Sequence, residues 1–207
     1  MVKAMKGKEL DDSVALRIKE SARSLFIRKG YDGTTMQAIA DASGLNKSLL
    51  HYYYRSKDNL FLVIFEEELG EVFAGALDIM GDPFRSMKEK LYAWIDTEAR
   101  LIADHPDIPL FLISEFRRNP ELVQNLMKKL RVVEAIGSLA GRGEGEGPGE
   151  KVPPLDDILL GIFSLLVFPS MVMPIIDFFL DSRGTQLAGY LDKQKALAKE
   201  LVDRHFP

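Results

Sequence analysis

The sequence predicts an all-α protein in two parts, a small helical domain at residues 1–57 and a larger one at 58–207. Three observations lead there. Apolar residues recur three and four apart along most of the chain, and few stretches alternate as strands do. Turn and stop residues separate the periodic stretches: Gly30, Gly44, Asp82-Pro83, His105-Pro106 and Asn119-Pro120. Charge also divides the chain. Met1 to Lys57 holds 11 Lys+Arg against 6 Asp+Glu, a net of +5; the remainder holds 16 against 25, a net of −9, and the two sum to −4. A basic unit joined to an acidic one is the asymmetry expected when only the first part meets a polyanion.

The elements follow in order. Ala15, Ile18, Ala22, Leu25 and Phe26 form the apolar face of a first helix, with Asp11 and Asp12 expected near its start, where the helix dipole favours acids. Thr34-Thr35-Met36-Gln37 fits a capping box opening a short second helix that ends near Gly44. Asn46 suits the N-cap of a third, and Ser56 that of a fourth, running towards Gly81. Further helices are expected at 84–104, 106–118, 120–139, 155–180 and 184–204, with His105 a C-cap. Residues 141–154 should form a mobile loop, because their opening GRGEGEGPG, residues 141–149, has five glycines and no apolar side chain to bury.

Composition excludes several classes. There is no Cys, hence no disulfide framework and no Cys-based metal or nucleophile chemistry, and a cytoplasmic setting fits. The start, MVKAMKGKELDD, has no apolar run of the secretory kind. Ile158 to Ile176 is 19 residues without a charge, yet acids flank it, neither flank is rich in Lys or Arg, and Pro169 and Pro174 interrupt it. It is read as buried in protein, against its own domain and a second subunit, and not as a membrane span. His51, His105 and His205 are scattered, and neither H-E-x-x-H nor G-x-S-x-G occurs. No catalytic set, metal site or cofactor is expected; the protein is read as a binding protein and not an enzyme.

Half of the six tyrosines stand together in ASGLNKSLLHYYYRSKDNLF, residues 42–61. On a helical wheel Leu50 and Tyr54 share one face, which packs inward. Lys47, Ser48, His51, Tyr52 and Arg55 share another that offers only cations, hydrogen-bonding groups and rings with polar tips. It follows a short helix by a turn containing Ser43-Gly44. This is the layout of a helix-turn-helix, whose second helix enters a major groove about 12 Å wide. Tyr52 and Tyr53 are placed to reach phosphate oxygens. Lys57, in the first turn of the next helix, adds a cation beside backbone amides that favour an anion.

These residues, with the helix before them, resemble the DNA-binding domain of TetR-type transcriptional regulators. Gly30, Tyr31, Thr34, Thr35, Ile39, Ala40, Gly44, Leu50, Ser56, Lys57 and Leu60 coincide with that family's pattern over about residues 14–61. Departures are His51 for a phosphate-contacting Tyr, Tyr54 for the common Phe, Asn46 for a Ser/Thr cap and Ser43 for Ala. The candidate DNA-binding set is Thr34, Thr35, Asn46, Lys47, Ser48, Leu49, His51, Tyr52, Tyr53 and Lys57.

The resemblance implies a homodimer on a palindromic operator in double-stranded DNA. It also implies a pocket inside the larger domain and release of DNA when a small apolar effector shifts the fourth helix. The chain is accordingly expected to be a ligand-responsive repressor; a helical dimer that binds ligand without regulating DNA is the alternative. The candidate pocket set is Trp94, Glu98, Phe111, Glu115, Phe168 and Met171, with Phe116, Met127, Phe163, Met173 and Asp177 in the same apolar runs. Rings and Met suit an adaptable apolar pocket.

Overall fold

Nine α-helices make up the regular structure among the described residues of this computed structural model, which are 2–132, 134, 155–172, 175, 178–179 and 187–206. They are α1 (Val2–Lys29), α2 (Met36–Ser43), α3 (Lys47–Tyr54), α4 (Lys57–Gly81), α5 (Met87–Asp104), α6 (Ile108–Arg118), α7 (Pro120–Lys129), α8 (Leu155–Met171) and α9 (Leu187–Asp203). The chain packs as two units, Met1–Leu69 and Gly70–Pro207. The expectations for residues 141–154, Met173 and Asp177, for the end of the helix expected at 155–180 and for the start of that expected at 184–204 lie outside the described residues.

The first unit is built on local signals. Its core joins Ile18, Ala22, Leu25 and Phe26 of α1 to Ile39 and Ala40 of α2, Leu50 of α3, and Leu60, Phe61, Ile64 and Phe65 of α4, all buried. Rings of Phe26, Tyr31, Phe61 and Phe65 form a connected aromatic cluster. The first turns of α4 thus belong to this unit. Helix α1 starts at Val2, so Asp11 and Asp12 sit inside it and not at its N-terminus. No proline interrupts residues 2–11, and Ala4, Met5, Lys6, Lys8, Glu9 and Leu10 all favour helix. The N-cap of α2 is Thr35, whose side chain accepts from the Ala38 amide; the capping box expected from Thr34 gives way to this single cap bond, because N3 is then Ala38, which has no side chain to return the bond.

The second unit holds one buried core made by α5 (Leu91, Ile95, Ile102), α8 (Ile158, Ile162, Leu166) and α9 (Leu191, Ala198, Val202). Polar ties clip its outer edge: Lys199 to Asp96 at 2.8 Å, and Tyr92 and Lys88 to Asp203 at 2.6 and 2.8 Å. Gly161 of α8 lies against α9, where a methyl group added to it would stand 2.6 Å from Leu201 Cδ2. A capping box of Ser86 and Glu89 opens α5, and His105 closes it, its amide donating to the Leu101 carbonyl at 2.8 Å. Among the described residues no helix is long and apolar enough to cross a membrane.

Candidate nucleic-acid interface and effector cavity

Helix α3 is set by its two neighbours. Gly44 ends α2 in the left-handed region (φ 66°), which turns the chain sharply and costs glycine nothing. Asn46 then caps α3, its side chain accepting from the Leu49 amide at 2.8 Å. Leu50 is the buried anchor, and Tyr54 packs sideways while its hydroxyl donates to the Ala15 carbonyl at 3.0 Å. Partial burial raises the Tyr54 pKa above its usual value. Arg17 of α1 donates to the Ser43 carbonyl at 2.6 Å, bracing the turn from behind.

The opposite face of α3 is open. Asn46, Lys47, Ser48, His51 and Arg55 are exposed, Tyr52 is 75% exposed, and Leu49 and Tyr53 are partly covered. The Tyr52 and Tyr53 rings meet edge to face at 5.2 Å between centroids. Thr35, at the start of α2, is exposed as well.

Arg55 ends the helix with φ 63° and ψ −50°, and the Ser56 amide donates across it to the Tyr54 carbonyl at 2.7 Å, a tight γ-turn. His51 supports that turn: its Nδ1 donates to the Arg55 carbonyl at 2.8 Å, which leaves Nε2 on the outer side of the ring.

Two residues of the expected set turn inward. Thr34 is fully buried, its hydroxyl directed at the carbonyls of Leu25 (3.2 Å) and Gly30 (2.9 Å). Lys57 donates to the carbonyls of Tyr31 and Thr34, both at 3.0 Å, and its ammonium lies 3.9 Å from the centre of the Tyr31 ring. The reason is the same for both. The α1–α2 connection leaves carbonyls pointing into the unit, and these must find donors. Two of the three ammonium hydrogens of Lys57 are committed there.

The second unit holds a half-open cavity of about 440 Å³. The last turns of α4 supply Val72, Phe73, Ala76, Leu77 and Met80. Helix α5 supplies Trp94 and Glu98, α6 supplies Phe116, α7 supplies Met127, and α8 supplies Leu159, Leu160 and Phe163, with Val132 beside them. A smaller lobe of about 50 Å³ shares Val72, Phe73, Glu98, Phe116 and Phe163.

Glu98 is 8% exposed and, among the described residues, the only ionisable side chain lining this cavity; burial pushes its pKa up to about 7. Among the described residues its carboxyl has no hydrogen-bond or ion-pair partner.

Of the predicted pocket residues, Trp94 and Glu98 line the cavity. Phe111 and Glu115 are buried elsewhere, Glu115 holding Arg118 at 2.5 Å. Met171 packs on the α5–α8–α9 core, and Phe168 is 60% exposed. The α4 wall was missed by sequence reasoning. Its signal was present, an apolar row at 72, 73, 76, 77 and 80 on one helical face.

A braced helix beneath an open polar one, carried on a three-helix head, defines a DNA-binding regulator of the helix-turn-helix class. The sequence profile of the family described as "Bacterial regulatory proteins, tetR family" matches residues 18–64, and over most of its length the chain is similar to HTH-type transcriptional regulators. It is 23% identical over 195 residues to the HTH-type transcriptional repressor SCO4008 of Streptomyces coelicolor, covering 93% of this chain and 97% of the other. It is 29% identical over 204 residues to the uncharacterized HTH-type transcriptional regulator YfiR of Bacillus subtilis, covering 95% and 90%. The fold matches the regulator FadR of Bacillus subtilis, solved in complex with stearoyl-CoA, with a TM-score of 0.64 at 19% identity over 90% and 97% of the two chains.

Proposed function

We propose that this regulator is a homodimeric repressor that binds a palindromic operator through α3 and leaves it when a small apolar effector occupies the cavity. The head and α3 act as the DNA-binding domain, and the rest of the chain as the effector-binding and dimerisation domain. One observation carries the proposal. Helix α4 runs unbroken from Lys57, with two residues between it and α3, to Gly81, and its last turns form a wall of the cavity. A molecule that displaces that wall moves a helix joined to the recognition helix by Arg55 and Ser56 alone.

Lys47, Ser48 and His51 are assigned to base edges, and Tyr52, Tyr53 and the amides near Thr35 to phosphates. Thr34 and Lys57 act as supports of that surface. Exposed Leu160 and Phe168 on α8 and Leu197 on α9 favour pairing of these helices with a second protomer. Such an obligate interface buries about 2,000 Å² or more. The stearoyl-CoA held by FadR carries a long apolar acyl chain, and that part alone is the likeness to an apolar effector here.

To act, the effector must bind the DNA-incompetent state better, and a coupling of about 1–3 kcal/mol is typical. The test is selection of bound sequences from random duplex DNA, followed by titration of apolar compounds into the complex. A palindromic consensus, with compounds that perturb Trp94 fluorescence and release DNA at the same concentrations, is the expected result. Failure to enrich any sequence, or a monomer at micromolar concentration in sedimentation, would overturn the proposal.

A further inference from the structure

Glu98 stands out because, among the described residues lining the cavity, none pairs with it. An unmatched carboxyl among apolar groups is costly, and a folded protein ordinarily neutralises it or pairs it. The described side chains that line the cavity with it from α4, α6, α7 and α8 include Val72, Phe73, Phe116, Met127, Leu159 and Phe163, none of them titratable or charged. On its own helix Asp96 and Arg100 line a different groove, against α9, where Asp96 is held by Lys199. Trp94, one turn before Glu98, presents an aromatic surface to the same space, as do Phe73, Phe116 and Phe163. Ring faces attract a cation, more strongly when water is excluded.

We infer that the cavity selects lipophilic molecules carrying one positive charge, an alkylammonium or arylalkylammonium group, with the charge seated between Glu98 and the surrounding rings. A neutral apolar effector would leave the carboxyl unmatched. An anionic one would be repelled by it. A cation supplies the missing partner, and the apolar wall takes the hydrocarbon. This inference rests on the cavity being the effector site and adds the chemistry it selects. Because burial holds Glu98 near a pKa of about 7, the carboxylate that receives a permanent cation is half formed at neutral pH.

The experiment uses two probes of one shape, a phenylalkyl-trimethylammonium ion and its uncharged tert-butyl isostere, titrated against Trp94 fluorescence in the full-length protein. At pH 8 the ammonium should bind at least about tenfold more tightly than the isostere. Its affinity should fall as pH drops below 7, towards tenfold per unit, while the isostere's does not. Glu98→Gln should bind both probes about equally and lose the pH dependence, with its helical content checked by circular dichroism.

An isostere that binds as tightly as the ammonium, or a charge preference that survives in Glu98→Gln, overturns the inference and leaves the effector site standing. If neither probe nor any other apolar compound perturbs Trp94, the effector site itself falls. A fatty-acid anion that outcompetes the ammonium would also overturn the inference.

Discussion

Replacing Arg23 by Met tests how the DNA-binding head is held together. Glu68 of α4 is 3% exposed and lies among Ile64, Phe65 and Leu69. Arg23 of α1 grips both of its oxygens, through Nε to Oε1 and through Nη2 to Oε2 at 2.8 Å. Removing one partner of a buried pair costs about 3–5 kcal/mol, because the other charge is stranded. The Arg23 side chain is 36% exposed, so water can partly replace it, and about 2–3 kcal/mol is expected after that discount. The reverse change, Glu68→Met, frees an arginine that can turn to solvent and should cost about 1 kcal/mol. The double variant removes the charge problem and should lie within about 1 kcal/mol of wild type, a coupling of about 2 kcal/mol. Urea unfolding at one fixed protomer concentration measures all four, since the apparent stability of an oligomer depends on concentration. An Arg23→Met cost below about 0.5 kcal/mol, or single effects that simply add in the double variant, would refute the reasoning.

Gly44→Ala should cost about 1 kcal/mol by urea unfolding, all of it backbone. The added methyl would meet only the Arg17 guanidinium, at 3.6 Å, and Gly44→Asn should cost less. Arg55→Gly should stabilise the head by about 0.5–1 kcal/mol, since glycine accepts the positive φ of the γ-turn, with thermal unfolding as the check. Between about pH 4.5 and 7 the folded chain keeps the Glu98 proton that the unfolded chain has lost. Stability should therefore fall as pH rises through that window, by about 3 kcal/mol in all, and Glu98→Gln should flatten the profile. Tyr52→Phe should weaken all operators about equally, whereas Lys47→Ala should change preference at particular base pairs by about 1–3 kcal/mol, read by repeating the selection.

Much of the head was legible because its signals are local. Asn46 and Ser56 cap where their type and position require, and Gly44 turns the chain where a left-handed residue is needed. What could not be read depends on groups far apart in the chain. Whether Thr34 or Thr35 caps α2 is decided by which hydroxyl the Leu25 and Gly30 carbonyls claim. Whether Lys57 faces outward depends on the carbonyls of Tyr31 and Thr34, more than twenty residues earlier. The cavity divides the same way. Trp94 and Glu98 stand out as unusual residue types, whereas Val72, Ala76 and Leu77 are ordinary core residues until the packing leaves a space beside them. Phe111 and Phe116, one helix and five residues apart, look alike in sequence, and only Phe116 reaches that space.

The inward turn of Lys57 bears on how this protein should answer to ionic strength. A DNA complex loses affinity in salt because each phosphate it neutralises had held a counterion, and the slope counts those phosphates at about 0.9 each. A cation already satisfied by two carbonyls and a ring keeps that company with or without DNA, and displaces no ion from the duplex. Arg17 on the Ser43 carbonyl, Arg23 on Glu68 and Lys19 on Glu67 are engaged in the same way. The +5 carried by the first 57 residues therefore overstates the charge turned towards a phosphate backbone. What remains on the open face of α3 is Lys47 and Arg55, so the head should give a shallow electrostatic slope, with the amides and tyrosine hydroxyls making contacts that salt scarcely touches.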